Sequence, residues 1–163
     1  DTGNILLQES TPIEENENVG SVYDRLMQIG QTLVTRTVDL IIESENNATP
    51  IPTIPQTETD KLKPAPKLFK DTCEIHFDQL TATEVKNFVR GLSPYPAAWC
   101  NITISEQAFE NVKIYTVEVL NTCQATSNKD IIIPCKEGAV RIIELQVPGK
   151  KRMEAKAFLN GLH

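Results

Sequence analysis

Five of the ten prolines in this 163-residue chain, Pro50, Pro52, Pro55, Pro64 and Pro66, crowd into seventeen consecutive positions. Proline offers no backbone donor, locks φ and pushes the residue before it away from helix, so such a stretch continues neither a helix nor a central strand. Set among Thr, Asn and Glu, residues 46–66 read as an extended linker. They divide the chain into a segment 1–45 and a segment 67–163. The apolar content of 40% and charged content of 23% fit a globular protein with one compact domain and something in addition. No apolar run approaches a membrane span, and no basic stretch followed by an apolar run stands at the start of the chain. The chain starts at Asp1 without a methionine, which reads as an excised fragment.

In the first segment, Asn4 to Gln8 suits a short strand after a tight turn at Thr2-Gly3, and Glu14 to Gly20 is polar enough for a loop. Ser21-Val22-Tyr23-Asp24 has the form of a capping box. Val22, Leu26, Ile29, Leu33, Val34, Val38 and Ile41 then recur at helical spacing, which predicts a helix over 21–44 with one buried face. The surface that would cover that face is not evident in this chain, and such a helix is unstable alone.

In the second segment, Glu74 to Phe77 suits a strand. Thr81-Ala82-Thr83-Glu84 is a second capping box, and Val85, Phe88, Val89 and Leu92 share one helical face, with Gly91 placed to end the helix in the left-handed region. Ser93-Pro94-Tyr95-Pro96 is a rigid turn. Strands are expected over 99–105, 111–120, 130–135 and 139–147, with clean alternation from Val112 to Val119, Pro134 marking an edge or a bulge, and Glu137-Gly138 in a turn. Met153 to Leu159 reads as a closing helix. Several short antiparallel strands with a helix make the expected fold class α+β, centred on a small, partly open, OB-like barrel.

The four cysteines, Cys73, Cys100, Cys123 and Cys135, form no C-x-x-C pair, so free buried thiols are expected and a metal site is not. Two glycosylation triplets, at Asn47 and Asn101, are discounted in the absence of a secretion signal. The net charge of −6 conceals an asymmetry: residues 1–60 carry two basic and eleven acidic side chains, residues 61–163 fourteen and eleven. The basic second half permits an anionic partner.

Four segments together resemble one family. They are Asp1-Thr2-Gly3-Asn4-Ile5-Leu6-Leu7-Gln8; Asp24-Arg25-Leu26 with Ile29-Gly30; Pro66-Lys67-Leu68 with Arg90 to Trp99; and Leu145 to Met153 with Phe158-Leu159-Asn160-Gly161. In order and spacing they are similar to the C-terminal part of the methionyl-tRNA formyltransferases. One departure is that Cys123 to Asn128 runs straight on where relatives carry a further strand with a Pro-Gly pair. The resemblance implies that residues 1–45 are a terminal strand-helix remnant of a Rossmann-like catalytic domain, followed by a linker over 46–66 and a barrel domain over 67–163.

It also implies transfer of a formyl group from 10-formyltetrahydrofolate to the amine of initiator methionyl-tRNA. Asp1 matches the catalytic aspartate of the Asp-Thr-Gly turn, where it would orient a histidine; on propensity alone it is a turn residue. The partner Asn and His lie upstream in the family, so the fragment is expected to be inactive and not to bind the folate. The barrel is expected to help hold tRNA through Lys67, Lys70, Arg90, Lys150, Lys151 and Arg152, each alternatively a solvated surface charge. Tyr95 and Trp99 are expected to fill the core rather than stack on bases. A cytoplasmic monomer without DNA or membrane partners is expected. The alternatives are a stand-alone OB-like RNA-binding module, a related folate-dependent formyltransferase or dehydrogenase domain, and an interaction domain without nucleic acid.

Overall fold

The structure, a computed structural model, describes residues 3–56, 63–121 and 130–162. Two compact units emerge: residues 1–15 with 21–67, and residues 16–20 with 68–163. Asp1 and the departure at 123–128 lie outside the described residues.

The first unit is built on helix α1, Val19–Asn47. It begins two residues before the expected start, so Ser21 is a helical residue rather than a cap, and the box with Asp24 is not its N-terminus. Its far end closes where Ala48 turns left-handed (φ 49°) and the Thr49 N–H donates to the Ser44 carbonyl at 3.2 Å, the six-to-one bond of a helix C-cap. The predicted apolar stripe is present, yet no α1 residue is buried: Leu26, Val34, Val38 and Ile41 are all exposed. The expected strand at 4–8 reduces to one antiparallel bridge. Ile5 and Ile54 exchange both backbone hydrogen bonds at 2.8 Å, and the Asn4 amide donates to Thr53 Oγ1 at 3.0 Å.

The second unit is an antiparallel sheet with a helix packed on it. Helix α2, Ala82–Leu92, carries the predicted capping box in full. Glu84 N–H donates to Thr81 Oγ1 at 3.2 Å, and the Thr81 N–H returns the bond to Glu84 Oε2 at 2.8 Å. Ala82, Val85, Val89 and Leu92 recur at helical spacing and are buried against the sheet. Gly91 does not cap this helix: it is helical, and Ser93, extended, follows the last turn.

The strands are β1, Ala98–Ile104; β2, Gln107–Leu120; β3, Ile131–Pro134; β4, Ala139–Gln146; and β5, Met153–Glu154. Their order is β1-β2-β4-β3, with β5 also on β4, and all of these pairs are antiparallel. Pro134 ends the outer strand β3, as its missing donor requires. Ser105 and Glu106, both left-handed (φ 49° and 67°), make the two-residue β1–β2 turn that Asn-Gly usually supplies. β2 is irregular at two places, one ahead of the expected Val112–Val119 alternation and one that breaks it. Asn111 (φ 52°) bulges, its N–H taken by Asn101 Oδ1 at 2.9 Å, and the register against β4 shifts around Thr116. Val112, Ile114 and Val117 are the buried residues of β2, so the period-2 count slips by one after Ile114. Bulges of this kind bend a strand and tighten its twist, which curls the sheet.

Two further expectations change, and a third, the turn at Gly138, holds. Residues 71–73 form a 3₁₀ turn and Glu74 makes a single parallel bridge to Trp99, in place of a strand over 74–77. Met153–Glu154 pair with β4 before the closing helix α3, Ala155–Asn160, begins. Gly138 (φ 75°) sits in the β3–β4 turn, where a Cβ would meet the Leu120 carbonyl at 3.0 Å and Ala82 Cβ at 3.2 Å. The core joins α2, the inner faces of β1, β2 and β4, and Phe158 of α3, which meets Phe109 edge-on at 5.3 Å.

Candidate functional site

The predicted cations lie in three different settings. Arg90, in the last turn of α2, is half-buried. Its Nε–H donates to Asn87 Oδ1 at 2.8 Å and one terminal N–H to the Glu17 carbonyl at 3.1 Å. With Lys86, which donates to Asn16 Oδ1 at 2.8 Å, and Gly20, whose N–H donates to the Ser93 carbonyl at 3.1 Å, Arg90 fastens residues 16–20 onto α2 and the turn that follows it. Both Arg90 bonds lie within the second unit.

Arg152 is likewise engaged. It forms a two-pronged pair with Glu144 at 2.5 and 3.2 Å, and its guanidinium lies 4.3 Å from the centre of the Tyr115 ring. Arg152, followed by the Thr116 hydroxyl at 2.9 Å, holds the Glu144 carboxyl below its ordinary value of 4.5 against the opposing effect of burial. Lys150 and Lys151 are exposed on the turn between β4 and β5, with the Lys150 ammonium 5.7 Å from the centre of the Phe158 ring. Gln146 steadies that turn by donating to the Lys150 carbonyl at 2.9 Å. Lys67 is exposed at the end of the first unit.

The third setting is a groove of about 570 Å³ in the second unit. Lys70 lies at its wall with its ammonium 5.1 Å from the centre of the Trp99 ring, while Trp99 Nε1–H donates to the Lys70 carbonyl at 2.7 Å. Phe69, Tyr95, Asn111 and Lys113 complete the working surface, and among the described residues no carboxylate lines it. Tyr95 is 83% exposed, which overturns its expected place in the core. Tyr95 lies between exposed Pro94 and half-buried Pro96 in the turn that joins α2 to β1, and the nearest buried residues on the chain are Ser93 and Ala97. Trp99 is only partly buried and packs against the core, in line with expectation. Lys113 escaped the sequence reading because it is isolated in the sequence. The available signal was its place as the outward residue between buried Val112 and Ile114 on β2. Pro148, at the start of the turn carrying Lys150 to Arg152, also lines the groove.

The remaining reactive groups belong to the core. Cys73 and Cys100 are buried free thiols, as expected. Burial, and then the charge of Glu74, push Cys100 up to about 12. Among the described residues no group of three or more His, Cys, Asp or Glu could hold a metal ion, and no helix is long and apolar enough to cross a membrane.

Residues 67–163 match the family model described as "Formyl transferase, C-terminal domain". Curated relatives named methionyl-tRNA formyltransferase align over essentially the whole chain. The protein of Porphyromonas gingivalis is 37% identical over 99% of this chain, and that of Parabacteroides distasonis 40% over 99%. The chain spans about half of each, 52% in both cases. Among solved structures, a variant of HypX from Aquifex aeolicus superposes with a TM-score of 0.60 at 17% identity, covering 98% of this chain and 28% of its own. HypX in complex with tetrahydrofolic acid superposes at 0.54 with the same identity, over 97% of this chain and 27% of its own. At such identity the likeness to HypX is one of fold. The family model and the whole-length relatives agree on one assignment: this chain belongs to the formyl transferase C-terminal domain family.

Proposed function

We propose that this chain is the C-terminal part of a methionyl-tRNA formyltransferase, in which the sheet domain holds tRNA while a catalytic half transfers the formyl group. The observation that carries this reading is the 37–40% identity to enzymes of that name over 99% of the chain. In this reading residues 1–45 are the strand-helix end of a Rossmann-like catalytic domain, residues 46–66 the linker and residues 67–163 the tRNA-holding domain. The unburied apolar stripe of α1 supports the first assignment, since a stripe of that width needs a covering surface.

The reaction in this reading joins a formyl group from 10-formyltetrahydrofolate to the amine of initiator methionyl-tRNA in the cytoplasm. Asp1 would orient the catalytic histidine and balance its charge as the amine attacks. No residue from Gly3 to Leu162 is assigned to the formyl donor. Among the cations, Lys150 and Lys151 are exposed and best placed for phosphate, whereas Arg90 and Arg152 serve the fold.

In the intact enzyme, replacing Lys150 and Lys151 by Ala is expected to weaken tRNA binding and lower the slope of log affinity against log salt by about one for each phosphate left without its cation. Unchanged affinity and slope would remove them from the interface. The 163-residue chain alone is expected to show no formyl transfer to methionyl-tRNA, and turnover would contradict the assignment of the remaining catalytic groups to a separate half.

A further inference from the structure

We propose that the groove between Tyr95 and Trp99 seats one unpaired nucleotide of the RNA, its base stacked on Tyr95 and the flanking phosphates held by Lys70 and Lys113. This rests on the tRNA-holding reading and names the part of the RNA that the groove takes.

Three features of the groove point to this occupant. Its wall combines three aromatic side chains with two cations and, among the described residues, no carboxylate, a charge balance that suits a polyanion and repels a basic partner. Tyr95 is 83% exposed on a proline-flanked turn, so a flat apolar face is presented to water on a backbone already restricted. Lys70 is held on the Trp99 ring at 5.1 Å and Trp99 on the Lys70 carbonyl, so one cation is positioned before any ligand arrives. Lys113 makes no ion pair among the described residues. A paired helix keeps its bases stacked internally and offers no free face to Tyr95, whereas a single-stranded end or a bulge does.

Trp99 is the only tryptophan of the chain, which makes its emission a reporter of the groove. The 163-residue chain is titrated with two RNAs, a blunt, fully paired hairpin and the same hairpin with a four-nucleotide single-stranded overhang. The overhang RNA is expected to quench Trp99 and to bind more tightly than the blunt one. Tyr95→Ala is expected to weaken the overhang RNA about 5- to 100-fold, with Tyr95→Phe close to wild type because it keeps the ring. Lys113→Ala is expected to reduce the salt slope by about one. Tyr95 is so exposed that its loss leaves the fold intact, which circular dichroism of each variant checks.

Equal binding of both RNAs, unaffected by Tyr95→Ala, would overturn the nucleotide seat while leaving the tRNA-holding reading in place. Failure to bind either RNA or tRNA would overturn both. Trp99 quenching by a separately purified catalytic half, with none by the overhang RNA, would show the groove to be a protein interface and overturn the proposal.

Discussion

Single residues in this chain divide between those that could meet a ligand and those that hold the fold, and charge alone does not separate them. Arg90 and Arg152 sit in the motifs that drew attention to them, yet each spends its guanidinium on internal acceptors. Arginine's planar fork suits such two-pronged pairs, while lysine, a hydrated point charge on a flexible stem, stays in solvent. The Glu144–Arg152 pair makes a prediction. Because the folded carboxyl titrates below 4.5, the pair's contribution is complete above that value and is lost as pH falls through the lowered one. Both partners are partly exposed, so the contribution is under about 1 kcal/mol. Arg152→Ala is expected to return the Glu144 titration, followed by carboxyl NMR, towards its ordinary range. An unmoved titration would show that Arg152 is not the main cause.

At the scale of elements, the capping boxes are instructive because one of two held. Thr81 and Glu84 close both bonds, whereas α1 starts before Ser21. A four-residue pattern states a local preference, and the backbone ahead of it decides whether the helix begins there. Thr81→Ala is expected to cost about 1 kcal/mol of unfolding free energy, measured by denaturant titration. No change would mean that the Ala82 N–H bond to the Glu137 carbonyl alone anchors that end. Residues 16–20 add a second test. A Cβ on Gly20 would lie 2.6 Å from Pro94 Cδ, a rigid ring atom with no room to withdraw. Gly20→Ala is therefore expected to destabilise by about 1–3 kcal/mol, and to loosen the Lys86 and Arg90 hydrogen bonds with it. A variant as stable as wild type would show that the segment shifts without cost.

Over the whole molecule, burial is uneven. The second unit owns a core joining α2, the sheet and α3, and α1 contributes no buried residue. Hydrogen exchange should register the difference: α1 amides are expected to exchange far faster than those of β2 and β4, whose protection reports global unfolding. Equal protection would show that α1 is cooperative with the sheet in the isolated chain. Docking of a catalytic half would slow α1 exchange selectively.

Periodicity and turn chemistry were enough to read α2 with its cap, the strands β1 to β4 within a few residues, the edge position of Pro134 and the apolar stripe of α1 from the residues alone. These are local properties, set by backbone sterics and by the spacing of apolar side chains. Tertiary structure decided the rest. The register slip of β2, the loss of the 74–77 strand, the outward turn of Tyr95 and the gathering of Lys70, Trp99 and Lys113 around one groove depend on residues distant in sequence. No local pattern encodes where a bulged strand will carry its outward face, because that is settled only when the partner strands and the helix compete for the same apolar surface.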